Sequence, residues 1–110
     1  MTDKKIISVD FDGTLVFNSY PIINNPNMEL INFIKNNRDK YIFILNTLRH
    51  DRELNEALEY LEQFDLKFDY INENVKHLID TYGDTRKIAA DYYIDDRNLT
   101  LQNWKDILNN

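Results

Sequence analysis

Two carboxylates stand two positions apart in the segment DFDGT, which is the strongest chemical signal in the sequence. Asp10 and Asp12 follow a run of apolar residues, and Gly13 comes directly after them. In extended backbone, residues i and i+2 point to one side, so both carboxylates can face one reaction centre. Gly13 lets the chain turn and brings backbone N–H groups close to an anion. The pattern favours a site that acts on an anionic group.

Two other interpretations explain DFDGT less well. An Asp at the end of a strand often caps a turn, which accounts for one carboxylate but not for the whole segment. An EF-hand calcium loop also begins with D-x-D, but it needs Gly at its sixth position and Glu at its twelfth. Counted from Asp10, Leu15 and Pro21 occupy those positions, so the sequence excludes a calcium loop.

Further polar residues follow two other apolar segments. Thr47 comes after KYIFILN, and Asp95 and Asp96 end the segment DYYIDD. Adjacent carboxylates at the end of a strand repel each other unless a cation or a basic group compensates them. A purely structural role is therefore less favourable for this pair than a role in binding a cation.

The elements that must position these residues alternate between strands and helices. Short apolar segments predict four strands, at residues 4–10, 40–46, 68–71 and 91–95. Apolar residues at helical spacing predict helices that begin at the capping residues Asn27 and Asp51, and a terminal helix over 103–108. The segment 75–82 is ambiguous, and one interpretation is a helical turn that ends at Gly83.

This alternation predicts an α/β fold with a mainly parallel sheet, in which right-handed crossovers place helices on both faces. In such sheets, ligands bind beyond the carboxyl ends of the strands. The polar residues that follow the strands should therefore converge on one edge of the sheet. They are Asp10, Asp12, Asn46, Thr47, Asp95 and Asp96.

Composition limits the class of protein. The chain has 110 residues, which fits one domain over residues 1–110, and 43% of them are apolar, which favours a folded core over disorder. The absence of cysteine excludes a disulfide framework and a thiolate zinc site. A net charge of −6 argues against non-specific nucleic-acid binding. No apolar run is long enough to span a membrane, and the first residues contain no secretory apolar region, so we expect a cytoplasmic protein.

The DFDGT segment resembles the first motif of the haloacid dehalogenase (HAD) superfamily of phosphatases, and the remaining motifs match in order. The second motif is a Ser or Thr after the second strand, where Thr47 stands, and the third is a Lys upstream of the last strand, where Lys87 stands. The fourth is an acidic pair or Gly-Asp, which Asp95 and Asp96 match. The first and fourth motifs are specific, whereas the second and third are single residues. The matches cover nearly the whole chain.

The resemblance implies a three-layer Rossmann-like fold without a cap domain. The loop after the first motif is too short for a cap, and a helix, a strand and a helix account for the segment 49–86. Capped relatives close a lid over the site. Without a lid, a large substrate or a neighbouring subunit must cover the site, so the sequence leaves an oligomer open. Tyr20, Ile22 and Ile23 offer only a small flap.

The resemblance also implies a Mg²⁺-dependent phosphomonoesterase. By the pattern of the superfamily, Asp10 would be the nucleophile that forms an aspartyl-phosphate, and Asp12 would protonate the leaving oxygen and then activate water. Thr47 would hydrogen-bond a transferring phosphoryl oxygen. Lys87 would hold Asp10 and the phosphate by its charge, and other bases nearby compete with it for this role.

The metal ligands implied by the resemblance are the Asp10 carboxylate, the Asp12 carbonyl and an acid of the fourth motif. Asp96 occupies the Asp position of that motif and is favoured as the direct ligand, with Asp95 as a support or as a ligand through water. The substrate is a phosphorylated compound whose identity stays open. Sugar phosphates, nucleotides, phosphoproteins and a nucleic-acid end all fit, although the acidic charge disfavours long nucleic acids.

Three other polar residues are predicted to have no catalytic role. Arg49 could reach the substrate, but a lone Arg near the start of a helix is expected in solvent. His50 and His77 are expected at the surface, because neither has a metal-ligand partner at a useful spacing.

Two alternatives come from other functional classes. A receiver domain of signalling proteins is also a small α/β unit that phosphorylates an Asp with the help of Mg²⁺, Thr and Lys. It places its acidic pair after the first strand and its acceptor after the third, whereas here the D-x-D comes first and the acidic pair last. The second alternative is a catalytically inactive HAD-like binding module. Turnover of an aryl phosphate with Mg²⁺ separates an enzyme from such a module.

Overall fold

A computed structural model describes residues 4–17, 21–23, 25–76, 79–80, 83 and 88–95. Within this part of the chain, the strands are β1 (Lys5–Val9), β2 (Tyr41–Leu45), β3 (Tyr70–Ile71) and β4 (Tyr92–Ile94), and the longer helices are α1 (Met28–Asn36) and α2 (Asp51–Glu62). The four strands form one parallel sheet in the order β3-β2-β1-β4. The predicted α/β fold with a mainly parallel four-stranded sheet is confirmed.

β1 is a central strand that pairs with β2 on one side and with β4 on the other. Its residue Ser8 is level with Ile44 of β2 and with Tyr93 of β4. The residues of β1 after Lys5 are buried, as expected for a parallel strand that lies between two neighbours. The segment that follows β1 therefore emerges at the middle of the sheet edge.

Helices α1 and α2 pack against the same face of the sheet. One buried cluster joins Ile7, Val9, Phe43 and Leu45 of the sheet to Leu30, Ile31, Ile34, Ala57 and Leu61 of the two helices. The steps from β1 to β2 and from β2 to β3 run in one direction across the sheet. Right-handed crossovers therefore put both helices on one side.

The other face is covered by the crossover from β3 to β4. A second buried cluster joins Ile6 and Ile44 of the sheet to Val75 and Ile88 of that crossover. Residues 76, 79 and 80 are helical. The N–H of Gly83, at a φ of 84°, donates to the carbonyl of Ile79 at 2.8 Å, which is typical of a glycine at the end of a helix. The predicted helical turn ending at Gly83 is confirmed for the described residues.

The direction of the crossovers reverses at the pair of strands β1 and β4. From β1 the chain crosses to β2 and then to β3, at one edge of the sheet. It then returns across the second face to β4, on the other side of β1. At such a reversal a crevice opens beyond the carboxyl ends of the two strands. Asp10 follows β1 and Asp95 follows β4, so both residues stand at this crevice.

The two helices begin differently. Asn27 caps α1 as predicted, because its Oδ1 accepts from the N–H of Leu30 at 3.3 Å. Its Nδ2 also donates to the carbonyl of Thr14 at 3.0 Å, which joins α1 to the DFDGT segment. The prediction that Asp51 caps α2 is wrong. Asp51 is the first helical residue, at a φ of 50° that Asp tolerates better than most residues, and the cap position belongs to His50, whose side chain makes no capping bond.

Some predictions fall on other parts of the chain. The predicted helix over 103–108 and the residues Lys87 and Asp96 lie outside the described residues. Within the described segments, no helix combines the length and the apolar character needed to cross a membrane.

Candidate functional site

Backbone hydrogen bonds hold the carboxyl ends of β1, β2 and β4 level. The N–H of Asp10 donates to the carbonyl of Ile94 at 3.0 Å, and the N–H of Asn46 donates to the carbonyl of Val9 at 2.9 Å. These bonds continue the parallel pairing beyond the ends of the strands. The residues that follow the three strands therefore start from a common edge, as the sequence predicts.

The DFDGT segment turns directly after β1. Phe11 is fully buried, and its carbonyl accepts from the N–H of Leu15 at 3.0 Å. The N–H of Phe11 donates to Oδ1 of Asp10 at 2.8 Å, which orients that carboxylate. Gly13 has a φ of 78°, a left-handed conformation that glycine adopts without strain. The turn thus buries the ring and leaves the flanking residues Asp10 and Asp12 partly exposed.

These two carboxylates line a cavity of about 310 Å³ at the carboxyl edge of the sheet. Its lining residues with polar side chains are Ser8, Asp10, Asp12, Asn46, Thr47, Tyr93 and Asp95. The cavity coincides with the crevice at which the crossovers reverse direction. Four of the predicted site residues, namely Asp10, Asp12, Thr47 and Asp95, therefore meet in one place.

Thr47 is buried at the wall of this cavity and is held by two neighbours. Its N–H donates to Oδ1 of Asn72 at 2.8 Å, and its hydroxyl oxygen accepts from the N–H of Arg49 at 3.1 Å. A hydroxyl has one donor and two acceptor sites, so Thr47 can donate its proton to an anion in the cavity. Sequence reasoning did not select Asn72, although its position directly after β3 is a signal that points to it.

Arg49 contradicts the expectation that it lies in solvent, because the residue is only 2% exposed. Its Nε donates to Oδ2 of Asp12 at 2.8 Å, and its Nη2 donates to Oδ1 of Asp12 at 2.7 Å. The guanidinium also lies over the ring of Phe11, 5.0 Å from the ring centroid. A planar guanidinium can bond a carboxylate through its edge while its face covers an aromatic ring, which makes burial favourable here.

Two backbone carbonyls complete the contacts of Arg49. Its Nη1 donates to the carbonyl of Glu53 in α2 at 3.3 Å, and its Nη2 donates to the carbonyl of Pro21, in the loop after DFDGT, at 3.2 Å. A buried charge is tolerated when such partners are present. Arg49 stands two positions after Thr47, so in extended backbone both residues point to the same side. This spacing is the sequence signal that could have identified Arg49.

Leu48 lies between these two buried residues and is 99% exposed. Leu48 is also among the residues that line the same cavity. The segment after β2 therefore turns one side toward DFDGT and the other toward solvent. His50 is exposed, as predicted, and His77 lies outside the described residues.

The oxygen atoms around the cavity are of the kind that Mg²⁺ binds. Asp10, Asp12 and Asp95, which line the cavity, have carboxylate and backbone carbonyl oxygens. Both oxygens of the Asp12 carboxylate accept hydrogen bonds from Arg49. Among the described residues, no three acidic, His or Cys side chains form a metal-binding group. The favoured direct ligand, Asp96, is not among them.

A second groove, of about 720 Å³, runs between the loop after DFDGT and α2. Ile22 and Ile23 line it from the loop, and Tyr60 lines it from the helix. Burial raises the pKa of the Tyr60 phenol. The predicted flap residues Ile22 and Ile23 thus border this groove rather than the cavity that holds Asp10, and Tyr20 lies outside the described residues.

Comparison with other proteins adds a relative of known structure. No family model matches the chain, and no curated protein matches it. A solved structure of a conserved protein, described by the locus that encodes it in Bacteroides thetaiotaomicron, is similar over 96% of this chain and 87% of the other, with a TM-score of 0.79 and 33% sequence identity. The chain therefore belongs to the same family as this conserved protein of Bacteroides thetaiotaomicron.

Proposed function

We propose that this protein is a Mg²⁺-dependent phosphomonoesterase of the HAD type, with Asp10 as its nucleophile. The observation that carries the proposal is the cavity at the reversal of the crossovers, where four residues matched to the HAD motifs meet. They are Asp10, Asp12, Thr47 and Asp95. Their types and their position beyond the strands are those that the superfamily pattern requires.

Asp10 and Asp12 divide the proposed reaction between them. An Asp10 oxygen attacks phosphorus while the bond from phosphorus to the ester oxygen breaks, and Asp12, which enters this step protonated, gives its proton to that oxygen. In the second step Asp12 takes a proton from water, and the water oxygen attacks phosphorus and releases Asp10. The N–H of Phe11, 2.8 Å from Oδ1 of Asp10, supports the orientation of the nucleophile.

Thr47 is the proposed hydrogen-bond donor to the phosphoryl group. Its hydroxyl oxygen already accepts from the N–H of Arg49, which favours donation of its proton toward the cavity. Lys87 remains the proposed cationic partner of Asp10. Mg²⁺, when bound by Asp10, Asp95 or Asp96 and the carbonyl of Asp12, would neutralise charge on the phosphoryl oxygens.

The proposed substrate is a phosphate monoester that itself covers the mouth of the cavity, since the sequence predicts no cap. A volume of about 310 Å³ is at the small end of ligand pockets. The exposed side chain of Leu48 at this cavity supports a substrate with an apolar part beyond its phosphate. The net charge of −6 disfavours a nucleic-acid end. We propose the cytoplasm as the location of the reaction.

The test is hydrolysis of p-nitrophenyl phosphate with Mg²⁺ and with excess EDTA, using wild-type protein and Asp10→Asn. We expect Mg²⁺-dependent turnover by the wild type and none by the variant. Asp91→Asn is the matched control, because Asp91 lies at the opposite end of the sheet and should keep full activity. Undiminished activity in Asp10→Asn would overturn the assignment of the nucleophile.

A second measurement separates an enzyme from an inactive binding module. Beryllofluoride with Mg²⁺ mimics a phosphorylated Asp, and it should raise the melting temperature of the wild type but not of Asp10→Asn. Stabilisation without turnover of any phosphate ester would favour the binding module instead.

A further inference from the structure

We infer that Arg49 is a positioning residue for Asp12 and sets the direction from which Asp12 reaches the substrate. The inference rests on the proposed function, because it concerns the residue that would protonate the leaving oxygen. It goes beyond the HAD resemblance, whose matched positions in this chain do not include Arg49. The positioning role is inferred from the hydrogen bonds between Arg49 and Asp12.

The two side chains meet edge to edge. Nε and Nη2 of Arg49 donate to the two oxygens of Asp12, at 2.8 and 2.7 Å. Two parallel bonds between planar groups fix the plane of the carboxylate as well as its distance. A single bond from a lysine ammonium would leave the carboxylate free to rotate.

Arg49 is itself held by three contacts besides those with Asp12. It donates to the carbonyls of Glu53 in α2 and Pro21 in the loop, and it lies over the buried ring of Phe11. Through Arg49, contacts with helix α2, the loop and the core thus orient the Asp12 carboxylate. A series of contacts of this kind holds a catalytic group rigidly only if the supporting residue is itself fixed.

The two partners differ in their access to the cavity. The Asp12 side chain is 25% exposed, whereas the Arg49 side chain is 1% exposed. Asp12 lines the cavity and Arg49 does not. Arg49 therefore acts through Asp12, and its loss should affect the chemical step more than the binding of substrate.

The kinetic signature follows from the role of Asp12. A general acid matters most when the leaving oxygen is a poor leaving group, as in an alkyl phosphate, and least when it leaves easily, as in p-nitrophenyl phosphate. A displaced Asp12 should therefore lower kcat for an alkyl phosphate by about 10²-fold and kcat for the aryl ester by less than about tenfold. KM should change little for either substrate.

The experiment compares wild type, Arg49→Lys, Arg49→Met, Asp12→Asn and the double variant Arg49→Met with Asp12→Asn. Each is assayed with Mg²⁺ on β-glycerophosphate and on p-nitrophenyl phosphate, and each is checked by thermal melting. We expect Arg49→Met to show the same substrate-selective loss as Asp12→Asn, and the double variant to be no slower than Asp12→Asn alone. Arg49→Lys should recover part of the loss on the alkyl ester.

The outcomes separate this inference from the proposed function. A wild type that hydrolyses neither ester overturns the proposed function and this inference with it. An active wild type, with Arg49→Met slowed equally on both esters or with effects that add in the double variant, overturns the positioning role alone. Should Arg49→Met fail to fold, Arg49→Lys and the double variant, which leaves no unpaired carboxylate at position 12, carry the same comparison.

Discussion

The two ends of the parallel sheet use the same residue type in opposite ways. Where the chain enters the edge strands β3 and β4, Asp69 and Asp91 bond the backbone of the neighbouring strand. Oδ2 of Asp69 accepts from the N–H of Phe43 at 2.8 Å, and Oδ2 of Asp91 accepts from the N–H of Ile6 at 2.7 Å. At the carboxyl end, Asp10, Asp12 and Asp95 line a cavity instead.

The difference follows from which backbone groups each end presents. At the entry end, N–H groups of β1 and β2 extend beyond the paired residues and need acceptors. The N–H of Asp69 also donates to the carbonyl of Phe43 at 2.9 Å, and that of Asp91 to the carbonyl of Ile6 at 2.8 Å, so each Asp clamps one strand residue. At the carboxyl end, backbone donors from Asp10 and Asn46 already serve the neighbouring carbonyls. The residues Asp10, Asp12 and Asp95 at that end line the cavity, where the proposed chemistry would take place.

The largest expected effect is the contrast between Asp10→Asn and Asp91→Asn. We expect Asp10→Asn to lower phosphatase activity by more than about 10³-fold, because an amide oxygen does not attack phosphorus. Asp91→Asn keeps an acceptor for the N–H of Ile6 and should keep full activity. Steady-state rates with Mg²⁺ and circular dichroism of both variants make the comparison. Equal losses of activity in the two variants would contradict the functional difference between the two ends of the sheet.

A Mg²⁺ titration sharpens the assignment of roles within the carboxyl end. Asp96→Asn should raise the Mg²⁺ concentration at half-maximal activity by more than about 100-fold and Asp95→Asn by about tenfold, as expected for a direct ligand and a supporting one. Asp12→Asn should lower the maximal rate without moving this midpoint, because its carboxylate bonds Arg49. A shift in Asp12→Asn as large as in Asp96→Asn would show that the Asp12 carboxylate binds the metal.

Variants of Asp69 test whether the carboxylates at the entry end of the sheet have a purely structural role. Asp69→Ala removes the acceptor of the buried N–H of Phe43, which should lower the free energy of unfolding by about 1–3 kcal/mol. The ion pair of Asp69 with Arg38 is partly exposed, so its loss adds less than about 1 kcal/mol. Asp69→Asn keeps an acceptor and should lose less stability than Asp69→Ala. Urea unfolding measures both variants, and a full loss of activity in the folded Asp69→Ala protein would contradict a purely structural role.

The smallest effect is expected at Leu48, at the edge of the cavity. Because this side chain is 99% exposed, Leu48→Ser should change the free energy of unfolding by less than about 0.5 kcal/mol. It should raise KM for phosphate esters with a bulky apolar group and leave KM for small polar esters unchanged. A matched pair of such esters, assayed with both proteins, tests this, and an equal change in KM for both esters would argue against a substrate contact.

Much of this molecule follows from local sequence patterns. Short apolar segments predict the four strands, and Asn27 predicts the start of α1, because the extended conformation of a buried segment and the capping of a helix depend on residues close in sequence. Asp51 and Arg49 show the limit of this reasoning. The cap of α2 depends on how the chain turns after Thr47, and the burial of Arg49 depends on a partner 37 residues away.

The sequence by itself determined the alternation of strands and helices and the ends of the strands at which Asp10, Asp12, Thr47 and Asp95 stand. Only the tertiary structure decided what surrounds each charge. It paired Arg49 with Asp12, and it turned Asp69 and Asp91 to the backbone of neighbouring strands. The physical reason is that a charged side chain takes its role from the donors and acceptors around it, and residues distant in sequence supply these.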